Sequence, residues 1–299
     1  MGQMMKTQGR ASKLKNESTT FAMNVSEESE RINKDTILCI SLAGRPGNHG
    51  TRFHNFLYRE LGLNYVYKAF ATQDVKAALG GVRALGIRGC SISMPFKEVC
   101  IPFLDEMDPS AAAIQAVNTI VNDGGRLRGY NTDYIAVLRL LESNTVDPRS
   151  VFALLGSGGM AKAVACALRD AGFRAGRIIA RNETAGRSLA RACGYEWQPK
   201  LESIGPSILV NATPIGMAGS PNAAELAFTP ELIHAADTIF DVVAHPSETP
   251  LIRQARKDGK QVITGAEVIA LQALEQFVLY TGVCPGEEQV KRAAAYARE

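Results

Sequence analysis

Two side chains, Lys97 and Asp133, each follow an apolar run that reads as a strand. Lys97 comes after Gly89–Met94 and a Pro-Phe turn, and Asp133 after Leu127–Tyr130 in Gly-Tyr-Asn-Thr-Asp. Ligands of α/β layers collect at strand ends. A lysine near a carboxylate can hold or relay the proton that an alcohol loses when its carbon gives up a hydride. Spacing alone does not bring the two together, and a surface lysine with a helix-capping aspartate is the alternative. A second feature is Gly156-Ser157-Gly158-Gly159-Met160, directly after the apolar run Val151–Leu155 and before the Ala-rich stretch Met160–Ala171. Glycines there allow a tight strand-to-helix turn and close approach of backbone to a pyrophosphate, and the unpaired N–H groups of the helix start face its oxygens. The spacing is G-x-G-G, short of the full dinucleotide fingerprint, so an ordinary tight turn is the alternative.

The next strand, Arg177–Ala180, separates the cofactors. Sites for NAD present an acid at its end; here Arg181-Asn182-Glu183 follows, with Arg187 beyond. The Arg181 guanidinium suits a 2′-phosphate, so NADP is expected, with NAD through Glu183 as the alternative.

The elements that must carry these residues alternate. Strands are expected at Thr36–Leu42, Tyr65–Ala69, Gly89–Met94, Val117–Asn122 and Leu127–Tyr130. Helices are expected at Phe53–Leu61, Gln73–Leu85 and Ala111–Gln115, with a helix or turn at Lys97–Phe103. A connecting helix, Ala136–Leu141, leads to a second series with strands at Val151–Leu155, Arg177–Ala180, Ile208–Val210, Thr238–Val243 and Gln261–Thr264. Helices at Met160–Ala171, Thr184–Cys193 and the apolar-striped Ala266–Thr281 complete it. The reading is a two-domain α/β protein. Residues 35–135 form the first domain, completed by the helical segment 266–299. Residues 136–265 form a doubly wound, mostly parallel sheet of Rossmann type, and 1–34 form a disordered extension.

The net charge of +3 lies mostly in the first 34 residues, which gives no electrostatic case for nucleic acid. The six cysteines lack C-x-x-C spacing and lie in or beside apolar segments, as buried free thiols do; with four scattered histidines they give no metal site. No apolar run is long enough for a membrane span, and no secretory signal is read at the polar start. A cytoplasmic setting is expected. The apolar residues of the last long helix suit either an internal core or a homodimer.

Several motifs in order resemble the shikimate dehydrogenase family, in particular its shikimate dehydrogenase-like branch, over about Leu38 to Gly282. They are G-C-S-I-S-M-P-F-K ending at Lys97, A-V-N-T at 116–119, G-Y-N-T-D ending at Asp133, G-S-G-G-M-A, N-A-T-P-I-G-M at 211–217, T-P-L at 249–251, and Gln272. The resemblance implies a nicotinamide-dependent hydride transfer at the secondary alcohol or ketone of shikimate or a relative such as quinate, within aromatic amino acid biosynthesis. Lys97 and Asp133 would be the catalytic pair. Ser93, Asn118 and Gln272 would bind substrate. Asn211, Ala212 and Thr213 would line the cofactor path, with Met217 beside the nicotinamide. Turn-satisfying Asn118, solvated Gln272 and core-filling Met217 are the alternatives.

The chain departs from that pattern around the substrate. The family's S-x-S-P-x-x-H-N is N-H-G-T-R-F-H-N at 48–55, so Asn48 and Gly50 replace two serines that hold a carboxylate, and only Asn48 keeps a polar side chain. Arg52 is a candidate anion donor or a surface residue. Ala244 stands where a tyrosine is common. Lost polar contacts should weaken or redirect shikimate binding. Two further readings stay open: a dehydrogenase of another small hydroxy acid, and a non-catalytic nucleotide-binding regulator.

Overall fold

In the computed structural model the described residues are 32–201 and 205–298. The expected extension, up to residue 31, lies outside them. Two six-stranded sheets follow one another along the chain. The first is built from β1 (Ile37–Ala43), β2 (Tyr65–Ala71), β3 (Gly89–Ile92), β4 (Glu106–Met107), β5 (Thr119–Asp123) and β6 (Arg126–Tyr130), in the order β2-β1-β3-β5-β6-β4. It is mixed: β2, β1 and β3 run parallel, while β5 is antiparallel to both β3 and β6. Helices α1 (His49–Glu60), α2 (Val75–Ala84) and the short α3 (Pro109–Ala112) connect its strands.

Helix α4 (Thr132–Ser143) leads to the second sheet. Its strands are β7 (Phe152–Leu155), β8 (Gly176–Ile179), β9 (Glu196–Gln198), β10 (Ile208–Asn211), β11 (Thr238–Asp241) and β12 (Gln261–Thr264). They are all parallel, in the order β12-β11-β10-β7-β8-β9. Counted from β7 this is the 3-2-1-4-5-6 order of the doubly wound fold, whose switch point lies between β7 and β10. The central strands FALL and ILVN are buried almost throughout, as parallel strands covered on both faces must be. Helices α5 (Gly159–Asp170), α6 (Glu183–Cys193), α7 (Pro230–Ala235) and α8 (Pro250–Lys257) cover them. The Ala-rich α5 lies close, with Ala161, Val164 and Leu168 fully buried.

The chain then returns. Helix α9 (Gly265–Thr281) starts at the end of β12 in a capping box, in which Thr264 and Glu267 satisfy each other's backbone N–H groups. Gly265 is required by contact: a Cβ there would lie 2.4 Å from the Val242 carbonyl oxygen. With α10 (Glu287–Arg298), α9 covers the α1 side of the first sheet, where Phe53, Leu57, Tyr58, Tyr67, Phe277 and Tyr280 form one core. The apolar residues Ala273, Phe277 and Tyr280 of α9 are therefore internal core.

Several expectations need correction. Helix α1 begins at His49, not Phe53, which makes Asn48 its N-cap. The connecting helix begins at Thr132, not Ala136, so Asp133 lies inside its first turn. The segment after Lys97 is a series of turns closing in a 3-10 turn at Ile101–Phe103. Strands β4 and β9 and helices α7 and α8 were not anticipated, being short. Yet α8 carries a start signal, Thr249 as side-chain cap followed by Pro250. Five cysteines are buried, but Cys284 is exposed.

Candidate active site

The Lys97 ammonium donates to Asp133 Oδ2 at 2.7 Å. Their side chains are 33% and 15% exposed, so the pair is reachable from solvent and not part of the core. Backbone contacts fix both. Buried Phe96 anchors the turn before Lys97, its N–H bonding the Ser93 carbonyl, and the Lys97 carbonyl accepts the Val117 N–H at 2.7 Å. Asn131 caps α4 by accepting the Tyr134 N–H and donates to the Ala116 carbonyl at 2.9 Å. The cap is therefore Asn131, and Asp133 is left for Lys97.

The A-V-N-T and N-T-D motifs turn out to be one assembly. Asn118 Oδ1 accepts from the Thr132 N–H at 2.8 Å and from the Thr132 and Thr119 hydroxyls. The amide nitrogen of Asn118 is buried and has no hydrogen-bond partner. An orphaned buried donor costs about 1–3 kcal/mol, which a ligand oxygen would offset. Its oxygen stitches the turn as the bland alternative held, while its nitrogen stays available. Ser93 and Asn48 are both exposed, and the Asn48 side chain makes no cap hydrogen bond to α1.

Gln272 is half-buried on α9. One turn on, Gln276 escaped the sequence reading. It is buried, and its amide donates to the Thr119 hydroxyl at 3.0 Å and the Ser91 hydroxyl at 3.2 Å. It ties α9 to the strand that follows Asn118. Its i+4 spacing from Gln272 was the available signal.

At the switch point, Gly156 has φ +129°, and a Cβ on it would lie 2.8 Å from the Ala212 carbonyl oxygen, so only glycine fits. Gly158 and Gly159 have open space where a Cβ would stand. Helix α5 starts there with no side-chain cap and no acid in its first turn. Ser157 and Met160 flank this opening half-buried. A phosphate-sized anion fits this opening by room and by polarity.

Asn211, expected to touch cofactor, is fully buried and its amide is fully used. It donates to Asp241 and to the Ile215 carbonyl, and accepts from the N–H and hydroxyl of Thr213. It shapes the Thr213–Met217 loop and does not face it. Its partner Asp241, also unremarked from sequence, takes further bonds from the Val243 N–H and the Thr249 hydroxyl. Burial pushes the Asp241 carboxyl above its ordinary value, against the pull of these donors. Met217 is 40% exposed, which excludes core filling.

Past β8, Glu183 is taken by Arg187 at 2.7 Å, and Arg187 stacks on Trp197. Arg181 is exposed and has no carboxylate partner among the described residues. Contacts that tie the two halves together include Lys162 of α5 to Glu98 at 2.9 Å, the Tyr134 hydroxyl of α4 to Asp170 at 2.7 Å, and the Cys166 thiol to the Ala113 carbonyl at 3.5 Å. No cluster of metal-ligating side chains occurs among the described residues.

A doubly wound sheet with an open glycine turn, faced by a second α/β sheet holding a lysine–aspartate pair, defines a dinucleotide-dependent oxidoreductase architecture. Residues 49–120 match the shikimate dehydrogenase substrate binding domain. A shikimate dehydrogenase-like protein of Haemophilus influenzae is 57% identical over 267 residues, 89% of this chain and 98% of that one. A solved structure of a shikimate 5-dehydrogenase-like protein superposes with a TM-score of 0.89 at 56% identity, covering 90% of this chain and all of the other. The Thermus thermophilus shikimate 5-dehydrogenase, solved with NADP(H) and shikimate, gives 0.77 at 31% identity over 87% of this chain and 100% of its own. The chain belongs to the shikimate dehydrogenase family.

Proposed function

We propose that the protein is an NAD(P)-dependent oxidoreductase that interconverts the secondary alcohol and ketone of shikimate and 3-dehydroshikimate, or of a closely related hydroxy acid. The observation that carries this reading is the Lys97–Asp133 contact at 2.7 Å beside the orphaned amide of Asn118. Residues 35–135 with 266–299 serve as the substrate half, and 136–265 as the cofactor half. The nicotinamide, when bound, accepts or supplies the hydride. Asp133 holds the Lys97 ammonium against the reacting oxygen. Nζ of Lys97 gives or takes the proton of that hydroxyl, so that the oxygen carries no full charge. Asn118, Gln272 and Ser93 orient the ring hydroxyls by hydrogen bonds, and Asn48 offers a further polar contact at the start of α1. Gly156 to Met160 hold the pyrophosphate, Thr213 and Met217 border the nicotinamide, and Arg181 takes a 2′-phosphate, which favours NADP over NAD.

The family member solved with NADP(H) and shikimate supports this cofactor and substrate class. The replacements Asn48, Gly50 and Ala244 favour a relative of shikimate as the better substrate. The test is a steady-state screen of shikimate, quinate and related hydroxy acids with each cofactor. Lys97→Ala should lower kcat by about 10²–10⁴ without changing cofactor affinity. Arg181→Ser should lower the NADP-over-NAD ratio of kcat/KM by about tenfold or more. Cofactor binding with no turnover on any of these acids would overturn the enzymatic reading.

A further inference from the structure

Two cysteines outside the proposed site lie sulfur to sulfur. Cys166 is carried by α5 and Cys193 is the last residue of α6, and their Sγ atoms are 3.7 Å apart. Both are buried, at 3% and 5% exposure. The Cys166 S–H donates to the Ala113 carbonyl of the first half at 3.5 Å. A carbonyl only accepts, so the hydrogen between the two sulfurs belongs to Cys193. The result is a directed chain, Cys193 to Cys166 to Ala113, that ends on the other half of the protein. Further contacts meet in the same corner. The Arg169 guanidinium donates to the Ala192 carbonyl of α6 at 3.4 Å and to Asp170 at 2.7 Å, and Asp170 accepts the Tyr134 hydroxyl of α4.

The surroundings of this pair differ from those of the other buried cysteines. The Cys193 S–H pulls the Cys166 thiol below its ordinary value, against burial, and the Arg169 charge acts in the same direction. The same contact, together with burial, pushes the Cys193 thiol up. Burial pushes the thiols of Cys39 and Cys100 up to about 12 and also raises that of Cys90. The thiolate is the reactive form. Cys166 is therefore the nucleophile, and Cys193 is the thiol placed to resolve what forms on it. Access comes at the end of α6, where Gly194 in the left-handed region stops the helix directly after Cys193. The last turn of a helix opens at little free energy, and a peroxide is small enough to use such an opening.

We propose that Cys166 and Cys193 are a thiol-oxidation site for hydrogen peroxide, and that the disulfide formed there weakens binding of the dinucleotide. The Cys166 thiolate attacks one peroxide oxygen. An S–O bond forms, the O–O bond breaks, and the departing hydroxide takes up the thiol proton as water. The Cys193 sulfur then attacks the sulfenic sulfur of Cys166. An S–S bond forms, the S–O bond breaks, and the oxygen leaves as a second water with the Cys193 proton. Two thiols are oxidised and one peroxide is reduced. Cys166 loses the hydrogen that it gave to Ala113, so one tie between the halves is removed. The new bond also joins α5 to α6. Helix α5 begins at the glycine turn, and α6 begins just past Arg181. Close-packed helices transmit a displacement and do not absorb it, and N–H groups aimed at phosphate oxygens lose by it. The thiol site stands on its own geometry, whereas its effect on the dinucleotide rests on the proposed pyrophosphate and 2′-phosphate sites.

The test uses the full chain with Cys284→Ser, which removes the exposed thiol. The reduced protein is treated with hydrogen peroxide and mapped by peptide mass spectrometry. It is titrated with NADP and with NAD by calorimetry before oxidation, after it, and again after dithiothreitol. The expected product links the peptides of Cys166 and Cys193 and is about 2 Da lighter than the two thiol peptides together. Dinucleotide affinity should fall about fivefold or more, the low end of coupling between two sites, and return with dithiothreitol. Cys193→Ala in the same background should form no such link and keep its dinucleotide affinity through the peroxide step. An unlinked pair, or a cysteine sulfonic acid in place of the link, would overturn the site. A link that leaves dinucleotide affinity within about twofold of the reduced protein would overturn its effect on the cofactor. If the reduced protein binds neither NADP nor NAD, the nucleotide reading falls, and the peptide map decides the thiol pair alone.

Discussion

Single residues differ in how far their surroundings commit them. Lys97 and Asp133 are held by backbone and by each other, yet they stay accessible. His54 is the opposite case. It is fully buried and stacked on Tyr67 with ring centroids 4.5 Å apart, and burial lowers its pKa from 6.5 to about 3. The folded state therefore keeps His54 neutral where the unfolded chain protonates it. Stability is unaffected by this group above pH 6.5 and is lost as pH falls toward 3, at up to about 1.4 kcal/mol per pH unit. His54→Phe should flatten that acid limb in urea unfolding measured between pH 7 and pH 4; an unchanged slope would show that His54 does not set it. At this scale the motif residues were legible because each forms part of an ordered string. Gln276 and Asp241 were not, because their importance comes from partners some 157 and 30 positions away in sequence, Thr119 and Asn211. Asn211, expected at the cofactor, spends its side-chain amide on shaping the loop.

Elements were legible where periodicity was strong and less so where capping decided the boundary. The glycine turn, β7, α5 and α9 follow directly from apolar strings and glycines. The starts of α1 and α4 were missed by four residues each, since Asn48 and Asn131 sit before polar stretches without apolar spacing. Those few residues matter, because they move Asp133 from a loop into a helix turn of fixed direction. Helix α9 is the element with least freedom at its start. Gly265→Ala would drive a Cβ against the Val242 carbonyl and the Val243 backbone, neither of which can rotate away. The expected loss is at least about 2 kcal/mol, as for overpacking against rigid neighbours. A scanning calorimetry trace should show a clear fall in Tm, and a Tm within a degree of wild type would mean that α9 can shift at no expense. Because Gln272 and Gln276 ride on this helix, KM for substrate should rise with the same variant.

For the molecule as a whole, the order along the chain is not the order in space. The first sheet is complete in strands by Tyr130, but the core that it shares with α1 on one face is closed only by α9 and α10, at the far end of the sequence. The two-sheet plan was legible from the alternation of strands and helices. The identity of that covering surface was not, since an apolar helix reads equally as core or as interface until its neighbours are known. A chain ending at Thr264 should expose Phe53, Leu57, Tyr58 and Tyr67 together. It should fail to give a cooperative unfolding transition for the first sheet and should bind a hydrophobic dye; a soluble fragment with a sharp transition would contradict this. The same arrangement has a consequence for biosynthesis. At roughly 5–20 residues per second on the ribosome, the first sheet waits on the order of ten seconds or more with a bare aromatic face while the cofactor half is made. Chaperone demand should therefore concentrate on the earliest-made half of the protein, and slow codons between the two halves should lower soluble yield without altering the finished enzyme.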